Sequence, residues 1–390
     1  MAEQKKALIA MSGGVDSSVA AHLMQEAGYI CYGVTMRLHD AKRGDQPCQD
    51  RDIEDARRVC QHFGMDFHVL DLRQDFCRAV MEPFVQAYEA GYTPNPCVLC
   101  NRSMKFAQLS ALARRLGCSR LVTGHYAQVH WRPEKGRYMV ARARQARKDQ
   151  SYVLYSLPQE DLALCHFPLG SYDKAEIRKL ARSLGLENAE RADSQDICFI
   201  PDGDYRRFIE DYRGHSGQPG EICDLEGRVL GQHNGALGFT IGQRKGLNVA
   251  CGERSYVLGK DMGRGRIYIG REEELYARYC LLDQVNCQES PTFARLRSCQ
   301  GRSRYHAPLA DLNWRAWSQG QELDPVLQEL LGEERSSQDR VLVRFTEAQR
   351  ALTPGQSLVF YEGDWVLGGG RIARVFKGQD LEQRLEDLWN

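Results

Sequence analysis

Apolar positions recur with two different periods along this chain. In the first half, short apolar runs alternate with stretches of helical spacing. Ala7-Leu8-Ile9-Ala10-Met11 is too short for a helix and reads as a buried parallel strand. The stretch over 16–27 places Val19, Ala20, Leu23 and Met24 on one face and reads as a helix. Strands are then expected over 30–36, 66–70 and 120–123. Helices are expected over 51–63, 76–88, 104–116 and 174–184, and the run 191–200 is expected to return to the sheet. That alternation predicts an α/β unit, a parallel sheet covered by helices on both faces. Beyond Gly214, glycines at positions such as 217, 220, 227, 231 and 235 punctuate short segments and suggest a small turn-rich module. From about Leu281, period-two runs such as Val341-Leu342-Val343-Arg344-Phe345 and Ser357-Leu358-Val359-Phe360-Tyr361 predict a β-barrel or sandwich. An inserted, partly helical excursion is expected over 310–338. The resulting division is 1–210, 211–281 and 282–390.

Composition narrows the function classes. With 390 residues the chain has room for two or three domains, and its 52 basic residues balance 52 acidic ones. A basic whole surface is therefore excluded, although a local basic face is not. No apolar run is long enough to cross a bilayer, and the residues before Ala7 do not form a secretory leader, so a cytoplasmic protein without a membrane partner is expected. In a reducing compartment the 14 cysteines should be mostly free thiols. Cys31, Cys60, Cys118, Cys165 and Cys280 have apolar neighbours and read as core fillers.

Candidate chemistry begins at the end of the first strand, where Ser12-Gly13-Gly14-Val15-Asp16-Ser17-Ser18 opens the helix. Small residues let backbone N–H groups approach a ligand, and the helix start adds partial positive charge, which together suit a polyphosphate. The Walker ending Gly-Lys-Ser/Thr is absent, and so is a dinucleotide-type Gly-x-Gly-x-x-Gly at a strand end. The segment resembles the PP-loop of the ATP-pyrophosphatase superfamily. That resemblance implies attack on the α-phosphate of ATP, with Asp16 helping to hold Mg²⁺. In a parallel sheet, ligands bind beyond the carboxyl ends of the strands. The glycine loop, Met36 and Gly124-His125-Tyr126 all fall at that edge and predict one nucleotide pocket.

A second signal is Thr93-Pro94-Asn95-Pro96-Cys97-Val98-Leu99-Cys100, in which the prolines are expected to fix a loop presenting both thiols. A zinc site usually needs a second such pair, which the chain lacks, and a thioredoxin-like motif fits the lead-in poorly. Cys198 follows the polar run Asp193-Ser194-Gln195-Asp196 and sits among Ile197, Phe199 and Ile200. In a PP-loop protein it becomes a candidate sulfur carrier.

Taken together, Ala10-Met11-Ser12-Gly13-Gly14-Val15-Asp16-Ser17, Thr93-Pro94-Asn95-Pro96, Cys100-Asn101, Lys105-Phe106, Thr123-Gly124-His125-Tyr126-Ala127, Lys148-Asp149-Gln150-Ser151-Tyr152, Ser194-Gln195-Asp196-Ile197-Cys198-Phe199, Gly238-Phe239-Thr240-Ile241-Gly242-Gln243-Arg244-Lys245-Gly246 and Thr353-Pro354-Gly355-Gln356 resemble the tRNA-specific 2-thiouridylases of the MnmA/TrmU type. The resemblance implies a PP-loop domain, a small central domain and a C-terminal β-barrel. It implies adenylation of C2 of the wobble uridine by ATP, then sulfur transfer, with a persulfide on Cys198 and Cys100 as partner thiol. By motif position, residues Ala10 to Ser17, Met36 and Gly124 would contact the nucleotide. Asn95, Pro96 and Cys97 would face the target base. His125, Lys148, Asp149, Gln150, Arg304, Tyr305 and Gln356 would contact the anticodon arm. Lysine, glutamate and glutamine tRNAs are the implied substrates, and a cysteine desulfurase or sulfur-relay protein is the implied donor.

The chain departs from the family pattern at Cys97, where many members carry aspartate. A thiol is not a simple substitute, its ordinary pKa lying near 8.5 rather than about 4. Either the position is permissive, or Cys97, Cys100 and Cys198 together ligate a [4Fe-4S] cluster with one iron open. Two basic groups, Arg132 to Lys148 and Arg295, Arg297, Arg302 and Arg304, are expected along the RNA backbone, giving salt-sensitive binding. The rival readings are a PP-loop ligase adenylating a small molecule and a metal-binding RNA chaperone with a degenerate nucleotide site. The first has no use for the cysteines, and the intact Asp16 and serines speak against the second.

Overall fold

Ala7, Leu8 and Ile9 are fully shielded from solvent, which requires their strand to be covered on both faces. In the computed structural model, which describes residues 4–43, 46–191, 197–215, 217–249 and 253–389, this strand is central. Lys6–Ala10 lies between Ile30–Arg37 and Arg120–Val122, with Asp66–Asp71 and Cys165–His166 at the two edges. All five strands are parallel. The helix Cys48–His62 lies so close to one face that a Cβ on Gly33 would sit 2.4 Å from the Cys60 sulfur. Cys31, Cys60, Cys118, Cys165 and Cys280 are free and buried, the filler role their neighbours suggested.

The run expected to return to the sheet does not form a strand where it is described. Residues 192–196 lie outside the described residues, and Ile197 to Ile200 form a turn. The fifth strand is instead Cys165–His166. Two helical rods stand against one side of the sheet, one built from Arg73–Phe76, Cys77–Met81 and Glu82–Glu89, the other from Pro96–Cys100, Asn101–Lys105 and Phe106–Arg115. With the Tyr205–Arg213 helix they enclose an apolar cluster of Phe76, Phe84, Met104, Phe199 and Ile209.

Gly220–Cys223, Val229–His233, Tyr256–Asp261 and Arg266–Gly270 form a four-stranded sheet around Ile222, Val257 and Ile267. Beyond it, Tyr276–Cys287, Arg340–Arg350, Ala310–Trp317, Leu296–Arg302, Ser357–Glu362 and Trp365–Phe376 pair in that order. The first and last also pair, closing a six-stranded barrel filled by Trp314, Phe345 and Phe360. The excursion is shorter than expected. Ala310–Trp317 is a barrel strand whose Leu312 and Trp314 point inward at period two, and the helical piece is Pro325–Leu331. The hairpin of Ala127–Arg132 and Arg137–Arg142 extends the barrel sheet through Trp365 opposite Ala141. No helix among the described residues is long and apolar enough to cross a membrane.

Barrel and α/β unit are clasped at two places. The Tyr152 hydroxyl donates to the Ser357 carbonyl (2.7 Å), and the Asp149 carboxylate faces Arg302 (3.4 Å). The barrel turn at Thr353 to Gln356 grips the segment ahead of the Cys-x-x-Cys pair. The Thr93 N–H donates to the Pro354 carbonyl (2.9 Å), and the Gln356 amide donates to the Thr93 carbonyl (2.8 Å). Gly355 sits in this clasp at φ +95°, where a Cβ would lie 2.8 Å from the Thr93 nitrogen. Gly355→Ala is therefore expected to cost about 1–3 kcal/mol, read as a lowered thermal midpoint. An unchanged midpoint would show that the clasp does not bear on stability.

Candidate active site

The pyrophosphate loop owes its shape to small residues and to bracing from outside. Gly13 adopts φ +72°, and a Cβ there would lie 2.5 Å from the Asp52 carbonyl. Gly14 caps the Val15–Glu26 helix in an extended conformation and has no side chain to take the leading N–H groups, which stay available to a ligand. Ser17 and Ser18 hydroxyls each donate to the Gly14 carbonyl (3.0 Å), and the Ser12 N–H donates to the Ser17 hydroxyl (3.2 Å). From outside, the Asn188 amide donates to the Gly13 carbonyl (2.9 Å) and the Ser18 hydroxyl (3.0 Å). Arg191 reaches the same carbonyl (3.3 Å) and Asp55 (2.8 Å). Gly124 abuts this turn so tightly that a Cβ would lie 3.0 Å from the Ser17 nitrogen.

Asp16 is held by Tyr126, from the motif at the sheet edge, and by Lys174, which sequence reading missed. Lys174, only 8% exposed, places its ammonium 2.8 Å from both carboxylate oxygens, and the buried Tyr126 hydroxyl donates to one of them (2.8 Å). A signal for Lys174 exists in the sequence. Asp173 and Glu176 form a capping box, which puts Lys174 at the first helical position, where the macrodipole disfavours a cation. A cation in that place needs an anion nearby. Asp16 with phosphate oxygens is also a donor set that suits Mg²⁺, which takes one or two carboxylates and completes its shell from phosphate and water. Lys174 then has to move off one oxygen.

The thiols are arranged differently from the expected loop. Pro96 occupies the first position of a helix instead of blocking one, and the Asn95 side chain caps it by accepting from the Cys97 N–H (3.1 Å). Cys97 and Cys100 thus share one helical face. Buried Asn101 ties the next turn down by donating to the Val153 carbonyl (3.1 Å). Cys100 and Ile197 border the same apolar cluster, with Met36 at its edge, which brings Cys198 to this wall. Met36 also packs against the core under the sheet, and two residues before it the Val34 carbonyl accepts from the Met11 N–H (2.8 Å), which puts Met36 at the same strand end as the glycine loop.

Cys97 and Cys198 are open to solvent, yet each lies in a recess with protein on most sides. That recess pushes the Cys198 thiol up to about 12, and the neighbouring Cys100 and Cys97 add to the effect. Enclosure also raises Cys97 and Cys100, while Lys105 pulls both the other way. Among the described residues no three His, Cys, Asp or Glu side chains converge closely enough to hold an ion. Cys97, Cys100 and Cys198 are the three thiolates that would ligate an iron–sulfur cluster, and the first two lie near enough to act on the charge of the third. His125 packs against Phe106 and Phe167, and its Nδ1 lies 2.6 Å from the Thr123 hydroxyl. Burial, then Lys105, holds its pKa well below the ordinary value, so the ring is neutral.

The expected RNA-facing residues divide into open and engaged groups. Asp149 is buried and accepts from the Ser151 N–H (3.1 Å), the Ser151 hydroxyl (3.0 Å) and the Ala143 N–H (3.2 Å). Gln150 clips the Tyr126 N–H with its side-chain oxygen (2.8 Å), so the Lys148 to Gln150 loop is mechanically tied to Asp16 through Tyr126. Arg304 donates to the Ala351 carbonyl (2.5 Å) and the Thr353 hydroxyl (2.8 Å), and Gln356 is spent on Thr93. Tyr305 is half-buried, with its ring 6.0 Å from that of Tyr152. Arg147 is exposed and has no side-chain partner among the described residues.

A glycine loop at a parallel strand end, an acidic residue in the first helical turn and a separate wall of thiols define a PP-loop enzyme built for sulfur chemistry. Three family models match successive parts of the chain. Residues 5–202 match the tRNA methyl transferase HUP domain, 206–271 the tRNA methyl transferase PRC-barrel domain, and 333–372 the aminomethyltransferase beta-barrel domain. A tRNA-specific 2-thiouridylase MnmA from Moorella thermoacetica is 43% identical over 94% of this chain and 99% of its own length. The protein of that name from Acidithiobacillus ferrooxidans is 44% identical over 94% and 98%. Among solved structures, the U34-tRNA thiolase NcsA from Methanococcus maripaludis aligns with a TM-score of 0.35 at 19% identity, covering 54% of this chain and 68% of that one. The chain belongs to the MnmA/TrmU family of tRNA-specific 2-thiouridylases, enzymes of the sulfurtransferase class.

Proposed function

We propose that the chain converts the C2 carbonyl of a wobble uridine in tRNA into a thiocarbonyl, in the cytoplasm, using ATP. The observation that carries the reading is the shared strand-end edge. The loop built for pyrophosphate follows the strand beside Ile30–Arg37, and Met36 near the end of that strand borders the apolar cluster that Cys100 and Ile197 also border, which supports one shared cavity. A uridine C2 carbonyl has no leaving group, and adenylation supplies one. The C2 oxygen attacks the α-phosphate of ATP, and pyrophosphate leaves along the Ser12 to Ser18 turn. Asp16 is the carboxylate placed to hold Mg²⁺, and the ion supplies charge screening for that departure. Asn95, Pro96 and Cys97 face the extruded base, which has to leave its stack to be reached. His125, Lys148 and Gln150 face the anticodon arm, with Arg304, Tyr305 and Gln356 on the barrel side.

Sulfur arrives as a persulfide on Cys198. Its outer sulfur reaches C2 and AMP departs, while the Cys100 sulfur bonds to Cys198 and breaks the S–S bond. Cys100 and Cys198 end as a disulfide, which a dithiol reductant has to reopen. A cysteine desulfurase or relay protein supplies the persulfide, and tRNAs for lysine, glutamate and glutamine are the substrates. The two-thiol relay needs only Cys100 and Cys198 and gives Cys97 no required role, whereas a cluster would need all three thiolates.

The test is anaerobic incubation of unmodified tRNA, ATP, Mg²⁺ and a persulfide donor, followed by nucleoside analysis. Product in the wild type and in Cys97→Ala, with none in Cys100→Ala or Cys198→Ala, is expected. Loss in all three together with stoichiometric iron would replace the relay by a cluster. ATP–pyrophosphate exchange without any tRNA would point to a small-molecule ligase instead.

A further inference from the structure

The basic group near the start of the barrel does not survive as one patch. Arg297 is neutralised by Glu289 and by Glu362 (2.7 Å), Arg302 faces Asp149, and Arg304 is bonded to the Ala351 carbonyl. Arg295 alone stays exposed without a side-chain partner among the described residues. It opens onto a cavity of about 480 Å³ that Arg137 and Arg340 also line. Arg340 is only 8% exposed. One terminal nitrogen donates to Glu333 (3.0 Å) and Ser337 (3.2 Å), but its Nε is buried with no partner among the described residues. An unpaired N–H on a buried cation is costly, so the site is incomplete by itself. Arg137 commits its Nε to the Gln288 carbonyl (2.9 Å) and has no other side-chain bond among the described residues.

We propose that this cavity is a phosphate-binding site. Guanidinium groups from three separate elements match the several oxygens of a tetrahedral oxyanion better than they match a point acceptor. Two carboxylates, Glu322 and Asp339, also line the cavity, and Asp339 accepts from the Gln319 N–H (2.8 Å). With Glu333 on Arg340 the three guanidiniums are offset by three carboxylates, so the case for an oxyanion rests on the N–H donors left unspent on Arg295, Arg137 and the Arg340 Nε. The same chemistry has two sources, the phosphodiester of a bound tRNA or a free phosphorylated small molecule. The strand Leu296–Arg302 separates Arg295 from the Arg304–Tyr305 end, and its 7 residues span about 23 Å. An RNA stem engaged at the thiol wall carries backbone over such a distance. Only this RNA source rests on the function proposed above.

The experiment uses the full chain and two probes. Unmodified tRNA is measured by filter binding between about 50 and 200 mM salt, and inorganic phosphate by tryptophan fluorescence, since Trp317 lines the cavity. Arg295→Gln is expected to weaken the binding of at least one probe about three- to tenfold, with recovery in Arg295→Lys. If the probe is tRNA, the slope of log affinity against log salt should also fall by about one. Arg384→Gln, on the Gln379–Glu386 helix, serves as the charge-matched control and should change neither. A loss for tRNA alone assigns the site to RNA backbone, and a loss for phosphate alone assigns it to a free phosphorylated ligand. If Arg295→Gln and Arg137→Gln, both folded by circular dichroism, leave both titrations as in the wild type, there is no phosphate site here.

Discussion

Lys174→Met is expected to slow tRNA-dependent AMP formation by about a hundred- to a thousandfold. Both carboxylate oxygens of Asp16 lie 2.8 Å from the Lys174 ammonium. When ATP and Mg²⁺ enter, the ammonium has to leave at least one oxygen, and the nearest anion to receive it is the polyphosphate itself. A preorganised cation at a departing pyrophosphate acts where charge develops, and loss of such a group typically costs that much in rate. Lys174→Met also leaves a carboxylate without its counter-ion, so part of the effect could come from misfolding. Asp16→Asn/Lys174→Met separates the two. With no charge left unpaired, the double variant should regain the thermal midpoint but not the activity. Single-turnover AMP release, measured with each variant at saturating ATP, decides the matter. Near-normal AMP release from folded Lys174→Met would remove the lysine from the chemistry.

That lysine illustrates what the sequence could not announce. The strand, glycine turn and helix from Lys6 to Glu26 were legible because each depends on neighbours in the chain. An apolar run, a left-handed glycine and a helical stripe are all local signals. Lys174 meets Asp16 across 158 positions, and no local pattern records the meeting beyond the ill-placed charge at a helix start. The same limit explains the arginines. Counting them predicts a basic face, but Arg297 and Arg302 are paired with acids from distant segments and contribute little outward field. The hairpin of Ala127–Arg132 and Arg137–Arg142 has the alternation of strands, yet alternation names no partner, and its attachment to the barrel through Trp365 had no sequence signature. The Cys-x-x-Cys turn was misread for a different reason. The prolines suggest a fixed loop, whereas at the first helical position the missing N–H of Pro96 costs nothing, and Asn95 immediately before it is a cap. The excursion was overdrawn at its start because Asp311, Asn313 and Arg315 on the outer face of Ala310–Trp317 masked the inward Leu312 and Trp314.

Cys198→Ala and Cys100→Ala should each reduce 2-thiouridine by at least about a thousandfold while AMP is still released. Adenylation draws on the Ser12 to Ser18 turn and Asp16, none of which either thiol touches, so ATP is still consumed, and in Cys198→Ala water takes the place of sulfur. The two variants should differ in what they retain. Cys100→Ala lacks the thiol that breaks the S–S bond, so Cys198 should hold one extra sulfur atom by intact mass before tRNA is added and a disulfide-linked tRNA adduct after, whereas Cys198→Ala should form neither. The resting state of Cys198 adds a pH signature. Its thiol is pushed up to about 12 by the protein around it, so near pH 7 only about one molecule in 10⁵ holds the reactive thiolate, against about three in a hundred for an ordinary cysteine. Alkylation of Cys198 in the folded enzyme should therefore climb about tenfold per pH unit between about pH 8 and 10. Lys105 opposes the rise, so Lys105→Met should slow alkylation further at every pH in that window. Rapid labelling of Cys198 at pH 7, at the rate of a free thiol, would mean that the recess does not enclose the sulfur. The persulfide would then have no shelter from water on its way to the base.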